Sequence, residues 1–143
     1  MTDFSADGRF SVWAQREGVR TYRGHNSRGA SVLMGEPSVP GAFTPGELLQ
    51  IALAGCAGMT TDGVVQRRLT GDTSVVLGVE ASTHETEDRY TGFTETLMVD
   101  LSGLDDAARA QLAATVRHAV GVGCTVGLTL LAGADVTVDI AQR

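Results

Sequence analysis

The hydrophobic positions of this chain change period several times, and each change marks an element. Near the N-terminus, "FSVWAQ" and "VRTYRG" alternate as short strands around "REG", a three-residue hairpin turn closing on Gly18. "ASVLMG" reads as a third short strand. "EPSVPGAFTPGE" then gathers all three prolines, Pro37, Pro40 and Pro45, into a loop that ends at a helix start. Thr44 suits the N-cap, Pro45 the first helical position, and Glu47 stands three residues after the cap, which makes a capping box.

Leu48, Leu49, Ala52, Leu53 and Cys56 follow at helical spacing, and the pattern continues to Met59 and past Gly63 toward Val64 and Val65. A helix apolar on most sides is expected to be buried at the centre of the structure. Ala54, Gly55 and Gly58 leave room on it for another backbone. Two strands come next. "SVVLGVEAS" places Val75, Leu77, Val79 and Ala81 on one face, and "FTETLMVDL" does the same with Phe93, Leu97, Val99 and Leu101. The polar "THETEDRYTG" connects them as a hairpin. A second helix is expected from about Asp105 to Val120, with Asp105 and Asp106 in the first turn and Leu112, Val116 and Ala119 as its inner stripe. After "GVG" a short helix, "CTVGLTLLAG", begins at Cys124. "ADVTVDI" is expected to close the chain as a strand with Val136, Val138 and Ile140 inward. The order β-β-β-α-β-β-α-α-β predicts a single α+β domain over residues 1–143 with a mostly antiparallel sheet.

Composition narrows the function classes. Aromatics are only 5%, so Ala, Val, Leu and Gly must do the packing. A net charge of −6 argues against nucleic acid or an anionic membrane as partner. "MTDFSADGRF" lacks the charged-then-apolar pattern of a signal peptide, and no run of about 18 apolar residues stands out. The expected location is the reducing cytoplasm, where a structural disulfide is disfavoured and a conditional one means redox chemistry. His25, His84 and His118 are scattered, with no CxxC or HxxxH spacing, so no metal site and no protease-like Cys–His pairing is expected. "GVGCTVG" misses the third glycine and the lysine of a phosphate loop, so no nucleotide cofactor is expected either.

That leaves two thiols. Cys56, set among Ala, Gly and Leu, reads as a small core hydrophobe or as a buried nucleophile. Cys124, at a helix start, faces backbone N–H groups and the positive end of the helix dipole, which favour a thiolate; alternatively it fills space under the helix entry.

"TPGELLQIALAGCAGMT", followed by "GCTVGLTLLAG", resembles the OsmC/Ohr family of thiol-dependent peroxidases, and the resemblance covers nearly the whole chain. It implies the OsmC-like fold, with antiparallel sheets around long central helices in an intertwined homodimer. It implies reduction of organic hydroperoxides, with Cys56 as the peroxidatic and Cys124 as the resolving cysteine. The cycle would run through a Cys56 sulfenic acid and a Cys56–Cys124 disulfide, reopened by a small dithiol or a lipoyl-bearing protein. A thiol on an apolar helix needs a positive charge to lower its pKa, and an arginine fork can hold both thiolate and peroxide. The family's arginine matches Arg16 in "AQREG", with Arg20, Arg23 and Arg28 nearby.

One position departs from the family. A Glu usually stands ten residues before the peroxidatic cysteine, and here that position is Gly46. Glu47, one step later, falls roughly opposite Cys56 at about 100° per residue, so the capping box is its expected role. Glu36 and Glu17 are the substitute partners for the arginine. The departure keeps a second function class open: a non-catalytic protein of the same fold that binds a small apolar ligand or acts as a slow redox sensor. An interaction module is a third.

Overall fold

The structure is a computed structural model that describes residues 8–70 and 73–142. It is an α+β chain with strands β1 (Val12–Gly18), β2 (Thr21–Asn26) and β3 (Ser31–Met34), then helix α1 (Pro45–Arg68). Strands β4 (Val76–Thr83) and β5 (Tyr90–Met98) follow, then helices α2 (Asp106–Gly123) and α3 (Thr125–Ala132). Two compact units divide the chain, one ending at Leu49 and the other beginning at Gln50.

In the first unit, β1, β2 and β3 form an antiparallel sheet in that order. The hairpin closes two residues later than the turn signal predicts. Gly18 pairs with Thr21, so Val19 and Arg20 make the turn, and Arg20 rather than glycine takes the left-handed conformation (φ 49°). Arg16 is therefore a strand residue opposite Tyr22, and a bulge absorbs Glu17. Side-chain pairing across the ladder accounts for the shift. This register sets Trp13 opposite His25, where the rings stack at 5.3 Å and 15°. It also brings the Arg23 fork onto the Glu17 carboxylate, with contacts of 2.5 and 3.2 Å. The loop after β3 leads into α1 through the expected capping box: the Thr44 N–H donates to Glu47 Oε2 at 2.8 Å, and the Glu47 N–H to Thr44 Oγ1 at 3.1 Å.

In the second unit, β4 and β5 form an antiparallel hairpin with Leu77, Val79, Ala81, Phe93 and Leu97 toward the interior. α1 buries a stripe at every fourth residue: Leu53, Ala57, Thr61 and Val65. Leu53, Ala57 and Cys124 form the centre of the core, with Cys56, Leu77, Val79, Phe93, Val120 and Val126 packed against it. Asp105 caps α2, accepting the Ala108 N–H at 2.8 Å, and Leu112 is that helix's buried residue.

Three expectations are corrected here. α1 is covered along one stripe rather than on most sides, and Met59 is 85% exposed. Of the small residues on α1, Gly58 receives a side chain, not a backbone: Leu77 Cδ1 sits 2.9 Å from where its Cβ would stand, while a Cβ on Gly55 would meet nothing within 4 Å among the described residues. The closing strand is absent among the described residues, and Val136, Val138 and Ile140 are 88%, 87% and 99% exposed. A strand exists only through a neighbour's hydrogen bonds, and among the described residues nothing pairs with that segment. In addition, α1 reaches a mean hydropathy of 1.4 over 18 residues, long and apolar enough by length and composition to cross a bilayer, although the sequence pattern had suggested no such run.

Candidate thiol site

The two cysteines, far apart in sequence, meet at the first turn of α3. Cys124 closes α2 through its backbone N–H, which donates to the Val120 carbonyl at 3.1 Å, and the same residue is the N-cap of α3. Its Sγ accepts the Gly127 N–H at 3.4 Å, in the place an Asp or Ser oxygen would take at an ordinary cap. The next two N–H groups of that turn, from Thr125 and Val126, are aimed at the Cys56 sulfur, and the Cys124 side chain hydrogen-bonds to it as well.

Close approach depends on two glycines. A Cβ on Gly127 would stand 3.3 Å from Cys124 Sγ and 3.6 Å from Leu53 Cδ1. A Cβ on Gly123 would stand 3.1 Å from the Thr60 methyl. Thr60 in turn donates its hydroxyl to the Cys56 carbonyl at 2.7 Å, with the Gly123 carbonyl 3.4 Å away, so it ties the α1 turn carrying Cys56 to the end of α2.

This arrangement splits the two thiols electrostatically. The Val126 N–H, then the Cys124 side chain and the Thr125 N–H, hold the Cys56 thiol below its ordinary pKa, against burial and the Glu95 charge. Burial pushes Cys124 up, and the Cys56 and Glu95 charges add to it, despite the opposing Gly127 N–H. Ionisation is thus easier at Cys56 than at Cys124. The sequence reading expected the cap position itself to favour a thiolate, but Cys124 is fully buried, and desolvation outweighs its single N–H. Backbone N–H groups at the start of α3 thus lower the Cys56 pKa.

Other sequence candidates lie in the first unit. Arg20 pairs with Glu36 and Arg23 with Glu17; these carboxylates are thereby engaged, while Glu47 serves the α1 cap. Arg16 is exposed on β1 and makes no ion pair among the described residues. No group of His, Cys, Asp and Glu suited to a metal ion occurs among the described residues.

Glu95 escaped the sequence reading. On β5 it occupies the inward position between Phe93 and Leu97, opposite Val79, and its Oε1 is buried without a hydrogen-bond partner. Burial raises its pKa above the ordinary glutamate value. It lines a cavity of about 430 Å³ with Ala57, Leu77, Phe93, Val120 and Arg117. The signal was present: Glu95 is the one charged residue at an inward position in the alternation of β5.

The fold and the paired thiols define a class of small α+β proteins in which a cysteine on a long helix meets a second cysteine at a helix junction. Within it, this chain belongs to the OsmC-like protein family, whose profile matches residues 35–139. It is 43% identical over 131 residues to uncharacterized proteins of Mycobacterium tuberculosis and Mycobacterium bovis, covering 92% of this chain and 96% of each relative. Among solved structures it resembles an OsmC-like protein of Mycoplasma pneumoniae (TM-score 0.61, 13% identity, 86% of this chain and 87% of that one). It also resembles the organic hydroperoxide resistance protein OhrB of Bacillus subtilis (TM-score 0.54, 19% identity, 84% and 90%).

Proposed function

We propose that this protein is a thiol-dependent peroxidase that reduces organic hydroperoxides. The observation that carries the reading is the shared first turn of α3, which brings the two thiols together and lowers the Cys56 pKa while burial raises that of Cys124. Cys56 attacks the terminal oxygen of the hydroperoxide. The O–O bond breaks, Cys56 becomes a sulfenic acid, and the alkoxide leaves and takes up a proton as the alcohol. Cys124 then displaces water from the sulfenic sulfur to give the Cys56–Cys124 disulfide. A dithiol reductant, small or lipoyl-bearing, reopens it by exchange and is itself oxidised. Such a cycle suits a reducing compartment, the cytoplasm.

Arg16 is the proposed activating cation. Its lack of an ion pair among the described residues supports the role, whereas Arg20 and Arg23 are engaged by carboxylates. The proposed assembly is a homodimer rather than a membrane-inserted chain. Support comes from the exposed alternating C-terminal segment and from the buried stripe of α1, which includes the polar Thr61 and so suits a helix packed in protein.

The test is thiol titration of the reduced protein before and after one equivalent of cumene hydroperoxide. Both thiols are expected to disappear rapidly, and Cys56→Ser is expected to abolish the loss. Slow loss that Cys56→Ser leaves unchanged would instead support the ligand-binding reading, which the glycine at position 46 keeps open. Arg16→Ala is expected to slow Cys56 oxidation at least about tenfold, the equivalent of one pKa unit.

A further inference from the structure

A glutamate at an inward strand position is costly unless it is paired, and Glu95 has no hydrogen-bond partner for Oε1 among the described residues. An aliphatic side chain would satisfy the packing of β5. The position of Glu95 relative to the thiols gives the carboxyl a use. Its cross-strand partner Val79 and its same-face neighbour Phe93 both pack on the cluster that contains Cys56 and Cys124. It lines the same apolar cavity as Ala57, the residue after Cys56. When ionised, it raises the pKa of both cysteines.

We propose that the Glu95 carboxyl gives the departing oxygen its proton when Cys56 opens the O–O bond. The inference rests on the peroxidase reading and deepens it. The step balances as follows. The sulfur electron pair forms the S–O bond to the terminal oxygen, which keeps its own hydrogen and becomes the sulfenic hydroxyl. The O–O electron pair goes to the alkyl-bearing oxygen, which takes the Glu95 proton and leaves as an alcohol. Glu95 is reprotonated from solvent before the next turnover.

Electrostatics favours this sequence. A Glu95 anion near a Cys56 thiolate raises the cost of both, so one negative charge is favoured over two. Burial raises the Glu95 pKa and so favours the protonated carboxyl that the step requires. As the sulfur becomes a neutral sulfenic acid, the charge passes to the carboxylate instead of doubling. The titratable and charged groups facing Glu95 are Cys56 from α1, Cys124 from the α2–α3 junction and the Arg117 guanidinium, which lines the cavity from α2. The rest of the lining, Leu77, Phe93 and Val120 among it, suits an apolar organic tail.

The experiment compares wild type, Glu95→Gln and Glu95→Asp, all reduced, in the rate of Cys56 loss with three reagents. Cumene hydroperoxide releases a strongly basic alkoxide, peracetic acid releases acetate, and iodoacetamide releases iodide; only the first leaving group needs a proton. Glu95→Gln is expected to slow the reaction with cumene hydroperoxide by about 10²-fold. Peracetic acid and iodoacetamide should react within about twofold of wild type or faster, and Glu95→Asp should recover part of the cumene hydroperoxide rate. In wild type that rate should fall as pH rises through the raised Glu95 pKa, and Glu95→Gln should lack this limb. A Glu95→Gln protein as fast as wild type with cumene hydroperoxide would overturn the inference, as would equal slowing with all three reagents. If wild-type Cys56 reacts with iodoacetamide but not with cumene hydroperoxide, the peroxidase reading itself fails.

Discussion

A sulfur among aliphatic side chains is a poor place for a negative charge, and hydrogen bonds from the Val126 and Thr125 N–H groups reduce that cost at Cys56. Since the Cys124 side chain contributes, Cys124→Ala is expected to raise the Cys56 pKa, and Cys124→Ser, which keeps a donor, to raise it less. Thiolate ultraviolet absorbance followed across pH checks this. Glu95 makes a separate statement about stability. Its folded-state pKa lies above the unfolded value, so the folded chain binds the proton more tightly. Its stabilising contribution is complete below the unfolded pKa and is lost as pH rises through the folded one. Urea midpoints of wild type should therefore fall relative to those of Glu95→Gln as pH is raised through that window, and a constant difference would contradict it. Both cysteines could be picked out from sequence, since each sits in a distinctive local pattern. Which one ionises more readily could not, because that depends on three N–H groups at the α2–α3 corner and on complete burial of Cys124.

Elements bounded by strong local chemistry were readable, and those fixed by a neighbour were not. The α1 start is a case of the first kind: Thr44, Pro45 and Glu47 specify it within four residues, and the reciprocal hydrogen bonds are present. Thr44→Ala is expected to cost about 1 kcal/mol in unfolding free energy, with Thr44→Ser near neutral; chemical denaturation measures both. The first hairpin is of the second kind. Gly18 attracts a turn assignment, yet stacking of Trp13 on His25 and the Glu17–Arg23 pair determine where the strands close. β5 shows a third case. Its alternation correctly placed Phe93 and Leu97 inward, but a rule that looks only for apolar residues passes over the Glu95 between them.

At the scale of the whole molecule the family was legible, because the run into Cys56 and the run out of Cys124 are each long and specific. Assembly is where the remaining sequence pattern points. The segment from Ala134 to Ile140 has strand periodicity, yet among the described residues it pairs with nothing and leaves three aliphatic side chains almost wholly in water. Alternating Val, Thr and Ile with unpaired backbone is a template for strand addition, and the aliphatic face gives such pairing its driving force. A second copy of the chain supplies the missing neighbour in the homodimer proposed above. The double variant Val136→Asp, Val138→Asp places like charges on that face and is expected to shift the protein from dimer to monomer in light scattering coupled to size exclusion. None of the groups that shift the Cys56 pKa lies in that segment, so the variant separates two questions. If the monomeric variant keeps a fast-alkylating Cys56 yet reacts slowly with cumene hydroperoxide, the dipoles of α3 suffice for the thiolate and assembly supplies the remainder of the catalytic power. If wild type is already monomeric, the C-terminal pattern requires a different neighbour, and the homodimer is wrong.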